Sequence, residues 1–172
     1  MPCPACAALL VPARGSPYPA VLAYQDEGRR LIHALKYRNG RAVAAALGAA
    51  MAGLVVDADA VAAVTWAPTT SARRRARGYD QAEVLARAVA RSLGVPVRGL
   101  LRRTDRAGPQ TGRGRAERLA RAPAFVATGR TPGRVVVVDD VVTTGATLHA
   151  AATALLAGGA RAVQAVAAAA TP

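Results

Sequence analysis

The sequence predicts an α/β protein: a single domain with a mostly parallel twisted sheet, helices on both faces, and a short irregular N-terminal segment. Three observations predict it. Val135 to Val138 is a short, continuous β-branched run, the pattern of a strand buried on both faces. Stretches of strand character alternate with stretches of helical spacing along most of the chain, which favours parallel strands joined by helices. The length, 172 residues, suits one domain with a real core.

The elements follow in order. Residues 1–20 read as irregular, because Pro2, Pro4, Pro12, Pro17 and Pro19 break any regular element. The expected domain runs over 23–172, with 1–22 as the irregular segment. Glu27 to Tyr37 has helical spacing, with Leu31, Ile32 and Leu35 on one face, and Arg41 to Val55 forms a second helix around Leu47, Met51 and Leu54. Val61 to Trp66 is a strand, and Pro68 to Gly78 a loop crowded with arginine. Tyr79 to Leu93 is a helix ended by Gly94. A short strand is expected at Val97 to Leu101, a long basic loop at Arg102 to Ala122, and a strand at Ala124 to Ala127. Arg134 to Asp139 is the valine strand, Ala146 to Leu156 the helix after it, Gly158-Gly159 a turn and Arg161 to Ala168 the last strand.

Hydrophobic residues make up 52% of the chain and aromatics 3%, so the core is expected to be built from Val, Leu and Ala. No run of 18 or more apolar residues occurs, and no basic-then-apolar leader opens the chain, so a cytoplasmic protein without membrane insertion is expected. The net charge of +13 is uneven. Residues 70–134 hold sixteen basic and four acidic side chains, a net of +12, and Lys36 is the sole lysine. Arginine recognises phosphate with two parallel N–H donors, so phosphate-bearing ligands are the natural partners of such a segment. Scattered residues such as Arg87, Arg91 and Arg161 are read as solvated.

The chemistry concentrates in Val135-Val136-Val137-Val138-Asp139-Asp140-Val141-Val142-Thr143-Thr144-Gly145-Ala146-Thr147. The carboxylates fall at the carboxyl end of a parallel strand, where open α/β sheets place ligands. A turn into a helix over Thr143 to Thr147 leaves backbone N–H groups converging on one spot, a seat for phosphate, and the threonines add hydroxyl donors. This run resembles the phosphoribosyl pyrophosphate (PRPP) motif of type I phosphoribosyltransferases. The resemblance assigns Asp139 and Asp140 to the ribose hydroxyls, directly or through Mg²⁺, and Val142, Thr143, Thr144, Gly145, Ala146 and Thr147 to the 5′-phosphate.

Three further segments resemble ComF-type members of that family. Ala67-Pro68-Thr69-Thr70-Ser71-Ala72-Arg73-Arg74-Arg75-Ala76-Arg77-Gly78-Tyr79-Asp80-Gln81-Ala82 is similar to their pyrophosphate loop, with Tyr79 and Asp80 in place of the commoner Phe and Asn. The resemblance assigns pyrophosphate to Thr69, Thr70, Ser71, Arg73, Arg74, Arg75 and Arg77. Arg102, Thr104, Gln110, Thr111, Arg118 and Phe125 match the segment that closes over the reacting ribose, with Arg102 and Arg103 as catalytic candidates. Leu35-Lys36-Tyr37 matches the family's Leu-Lys-Tyr.

Cys3 and Cys6 form a Cys-Pro-Ala-Cys pair, either a relic of a zinc ribbon or half of one; a structural Zn²⁺ wants four ligands. The resemblance implies a Mg²⁺-dependent transferase that moves phosphoribose from PRPP to an unidentified acceptor, with a homodimer as a common assembly. Two alternatives stand beside it: a PRPP-binding regulator without turnover, and a DNA-binding protein of competence that grips phosphates through residues 70–134. Few aromatics are available to stack bases, which weighs against a strong single-strand platform.

Overall fold

The computed structural model describes residues 15–35, 40–104 and 123–171, without the side chains of Arg41 and Arg77. The chain runs through strand β1 (Ala20–Ala23), helices α1 (Asp26–Ala34) and α2 (Gly40–Ala52), strand β2 (Val61–Trp66), and helices α3 (Ser71–Arg77) and α4 (Gln81–Leu93). Strands β3 (Leu101–Arg103), β4 (Phe125–Ala127) and β5 (Arg134–Val142), helix α5 (Ala146–Ala157) and strand β6 (Ala162–Ala170) complete it. The main sheet is parallel throughout, in the order β1-β6-β5-β2; β3 and β4 pair antiparallel in a separate two-stranded ribbon.

The two inner strands explain the valine and alanine content. Val135 and Val137 of β5 face α5 and the ribbon, packing with Leu148, Leu155, Leu101 and Phe125. Val136 and Val138 face the other way, onto Ile32, Leu47, Met51, Leu85 and Val89 of α1, α2 and α4. Helices therefore cover both faces, as expected of a strand that is apolar at every position. Alanines of β6 keep the layers thin, and α2 crosses α4 at Gly48 with almost no space between them. A Cβ at Gly48 would collide with the Ala88 Cβ and lie 2.8 Å from the Ala88 carbonyl carbon.

The predicted fold class holds, and four local differences have physical reasons. The segment read as irregular over 1–22 already contains sheet, since β1 starts at Ala20 and pairs Ala20 with Ala167. Four residues after a proline carry no periodicity of their own, so only the edge of β6 makes them a strand. The basic loop read over Pro68 to Gly78 contains α3, which starts under a cap from Thr70 Oγ1 to the Arg73 N–H at 3.3 Å and ends at Gly78 with φ of 80°. The strand read at Val97 to Leu101 is displaced to Leu101–Arg103, leaving Val97 a single parallel bridge to Val64. The valine strand runs on to Val142, three residues beyond its predicted end. The cysteine pair, Lys36-Tyr37 and the basic residues 105–122 lie outside the described residues.

Gly48→Ala tests the close helix crossing. The helix gains about 1 kcal/mol in intrinsic propensity, but overpacking costs about 1–3 kcal/mol. A lower urea midpoint is expected; a raised one would mean that α2 and α4 are further apart.

Candidate functional site

The acid pair sits where the face alternation of β5 is broken. Val138 and Val141 both pack on the α1/α2/α4 side, although strict alternation would place residues three apart on opposite faces. Asp139 pairs with Ala167 and Val141 with Ala169, so the register with β6 is constant across Asp140. Each carboxylate accepts the next N–H along the chain: Asp139 Oδ1 from Asp140 and Asp140 Oδ1 from Val141, both at 2.9 Å. Asp139 is buried and Asp140 half-buried. Burial pushes the Asp139 carboxyl well above the ordinary aspartate range, and the charges of Asp140 and Asp80 push the same way.

The chain then turns at Thr143-Thr144-Gly145 into α5. Gly145 is the N-cap with φ of 78°, and Thr144 Oγ1 accepts the Ala146 N–H at 3.4 Å. Among the described residues the N–H groups of Thr143, Thr144, Gly145 and Thr147 donate to no protein acceptor. They lie at the positive end of a 12-residue helix, beside exposed threonine side chains. A contact the sequence does not signal closes one side of this loop. A Cβ at Gly145 would lie 2.8 Å from Pro17 Cγ and 2.9 Å from Tyr18 Cε2, so the chain before β1 packs directly on the glycine.

The loop after β2 reaches the same sheet edge. The Ala67 N–H donates to the Val138 carbonyl at 3.0 Å, one residue before the acid pair. The Thr69 N–H donates to Asp80 Oδ2 at 2.8 Å, while Asp80 Oδ1 caps α4 by accepting from the Ala82 N–H at 3.1 Å. Burial, more than any neighbour, raises the Asp80 carboxyl above its ordinary range. Arg73, Arg74 and Arg75 are exposed on α3. The Tyr79 hydroxyl donates to the Leu35 carbonyl at 2.6 Å, tying the end of α1 to this corner.

The ribbon supplies a further cation. Arg103 Nη1 donates to the Pro68 carbonyl at 3.4 Å, and its guanidinium carbon sits 5.5 Å from the centre of the Phe125 ring. Arg102, its neighbour in β3, is exposed on the opposite side of the ribbon, since adjacent strand residues alternate. The structure thus brings together Asp139, Asp140, Val142 to Thr147, Thr69 and Arg103, and leaves Arg102 apart from them. Asp80 and Tyr18 are the members that sequence reasoning passed over. Among the described residues no group of three or more His, Cys, Asp and Glu side chains could hold a metal by itself. Also among the described residues, no helix is long and apolar enough to cross a membrane.

The fold and site define an α/β protein whose parallel sheet edge carries two carboxylates beside a helix start with open N–H groups, an arrangement suited to phosphate and hydroxyl groups. Residues 80–172, more than half of the chain, match the family model of the phosphoribosyl transferase domain, and the chain belongs to that family. No curated protein shows significant sequence similarity. Among solved structures, the chain is similar to glutamine PRPP amidotransferase from B. subtilis, complexed with ADP and GMP. That match has 23% identity and a TM-score of 0.48, over 72% of this chain and 25% of that one. The chain thus spans about a quarter of that protein's length. It is also similar to orotate phosphoribosyltransferase from Aeropyrum pernix, with 24% identity and a TM-score of 0.47, over 91% of this chain and 73% of that one.

The buried acid predicts a pH signature. A carboxyl whose pKa rises on folding holds its proton more tightly in the folded state. Folding therefore loses stability as the pH rises from the ordinary aspartate range through the raised value of Asp139, and loses none below that range. Asp139→Asn is expected to raise the melting temperature by a few degrees at neutral pH, with the gain vanishing near pH ~4. A variant that melts lower at neutral pH and equally at pH ~4 would contradict the burial argument.

Proposed function

We propose that this protein is a phosphoribosyltransferase of the ComF type, which binds PRPP with Mg²⁺ and transfers phosphoribose to an acceptor nucleophile, releasing pyrophosphate. One observation carries the reading: a carboxylate pair, a phosphate loop and an arginine-flanked second loop meet at one edge of a parallel sheet in a chain of this family.

The residues divide the substrate between them. The open N–H groups of Thr143, Thr144, Gly145 and Thr147 and the threonine hydroxyls take the 5′-phosphate. Asp139 and Asp140 take the ribose hydroxyls. Thr69, Thr70 and Ser71, with Arg73, Arg74 and Arg75, take the pyrophosphate, Arg77 being assigned to it by the sequence resemblance alone, and Arg103 stands at the root of that loop. The acceptor bonds to C1′ while the C1′–oxygen bond breaks and its electron pair leaves with pyrophosphate. Positive charge on the ribose ring is favoured by the field of the acid pair, and negative charge on the leaving group by the arginines. Positioning supplies much of the rate, because no protein nucleophile is needed.

The donor set suits Mg²⁺. Two adjacent carboxylates, one of them held above its ordinary range by burial and repulsion, gain from a cation placed between them and the substrate. Mg²⁺ is commonly held by one or two carboxylates together with substrate phosphates, so no larger protein cage is required. When bound, it would offset the charge gathering on the leaving pyrophosphate.

Calorimetric titration of PRPP in the presence of Mg²⁺ checks the acid pair. Asp140→Asn is expected to fold and to bind PRPP at least about tenfold more weakly. Unchanged affinity in the folded variant would remove Asp140 from the site. Pyrophosphate release with an acceptor supports turnover, while saturable binding with no release from any acceptor assigns the protein as a PRPP-binding regulator.

A further inference from the structure

We propose that Asp80 is a positioning residue for pyrophosphate: it sets the orientation of the Pro68–Thr69 peptide and, through that peptide, the place of Arg103. The inference rests on the PRPP reading above and names the residue on which its pyrophosphate half depends.

The geometry is that of one peptide group held from both ends. Its N–H, on Thr69, donates to Asp80 Oδ2 at 2.8 Å. Its carbonyl, on Pro68, accepts from Arg103 Nη1 at 3.4 Å. In a trans peptide these two groups point in opposite directions. An anion therefore holds the positive end of the peptide dipole and a cation the negative end. The reversed peptide would turn the Pro68 carbonyl toward Asp80, inside a corner that already holds Asp139 and Asp140, and would present an N–H to Arg103. Both contacts would be repulsive, so Asp80 selects one orientation of two.

Asp80 is well placed to hold this orientation firmly. It is 4% exposed, and its other oxygen is fixed by the Ala82 N–H at the start of α4, so the carboxylate is anchored to a 13-residue helix. The loop has few other anchors: Ala67 on the Val138 carbonyl at one end and the Thr70 cap of α3 at the other. Because its N–H is committed to Asp80, Thr69 can offer pyrophosphate only its hydroxyl.

Two variants and two ligands test the assignment by calorimetry with Mg²⁺ present. Asp80→Ala removes the acceptor of both N–H groups. Asp80→Ser keeps a cap for α4 but is too short to reach Thr69, and it serves if the first variant fails to fold. For either, PRPP affinity is expected to fall about tenfold or more, the scale of one charge-assisted hydrogen bond. Affinity for ribose 5-phosphate, which lacks the pyrophosphate, is expected to stay at the wild-type value. Combining either variant with Arg103→Gln is expected to cost less than the two single losses together, because both act through one peptide.

An equal loss of PRPP and ribose 5-phosphate affinity would overturn the proposal, since Asp80 would then act on the whole fold. So would an unchanged PRPP affinity, or full additivity with Arg103→Gln. Failure of the wild type to bind either ligand would sink the underlying PRPP reading itself.

Discussion

A strand with neighbours on both edges and helices on both faces leaves only its ends open to ligands. β5 is such a strand, and its four valines are wholly buried. Its burial dictates what surrounds it. The side chains must be apolar in both directions, the layers above and below must be helical or sheet-like, and polar chemistry is pushed to where the ladder stops. The acid pair lies at that limit, with the alternation of β5 broken beside it and the chain turning into α5 three residues later. The same constraint explains why the loop after β2 is part of the site, since β2 is the parallel neighbour of β5 and ends beside it at Val138.

Electrostatics then separates two environments that share one corner. Asp80, Asp139 and Asp140 are drawn in, and Asp80 and Asp139 are raised chiefly by burial, with the charges of Asp140 and Asp80 adding to the rise at Asp139 and that of Glu83 at Asp80. Arg73, Arg74 and Arg75 stand outside in solvent, with Arg103 between the two groups. A net charge of +13 over the whole chain therefore says little about the site itself, which is acidic at the end of β5 and basic along α3. A sugar phosphate with a charged leaving group matches both halves at once. Nucleic acid backbone would match the basic half alone.

Much of the fold was legible because its signals are local. Val61 to Trp66 and the valine run carry strand character in their composition, and Gly94 and Gly158 mark helix ends without reference to anything distant. What escaped depends on partners far along the chain. β1 is a strand only because β6 lies beside it. α3 was hidden by its arginines, although Thr70 and Gly78 are a readable pair of caps. Arg102 and Arg103 look like loop residues until Phe125 and the Pro68 carbonyl are placed opposite them. The site followed the same division. Asp139, Asp140 and the Thr/Gly loop are contiguous and were readable as a motif. Asp80 lies 59 residues from Asp139, and nothing in its neighbours announces that it reaches back to Thr69. Tyr18 packs on Gly145 across an even longer separation.

The most direct test of this account is a crystal structure of the protein with PRPP and Mg²⁺. The account predicts the 5′-phosphate on the N–H groups between Thr143 and Thr147, the ribose hydroxyls at Asp139 and Asp140, and the pyrophosphate between Thr69 and Arg103. PRPP bound elsewhere, or held with its pyrophosphate on the Thr143–Thr147 loop, would contradict it.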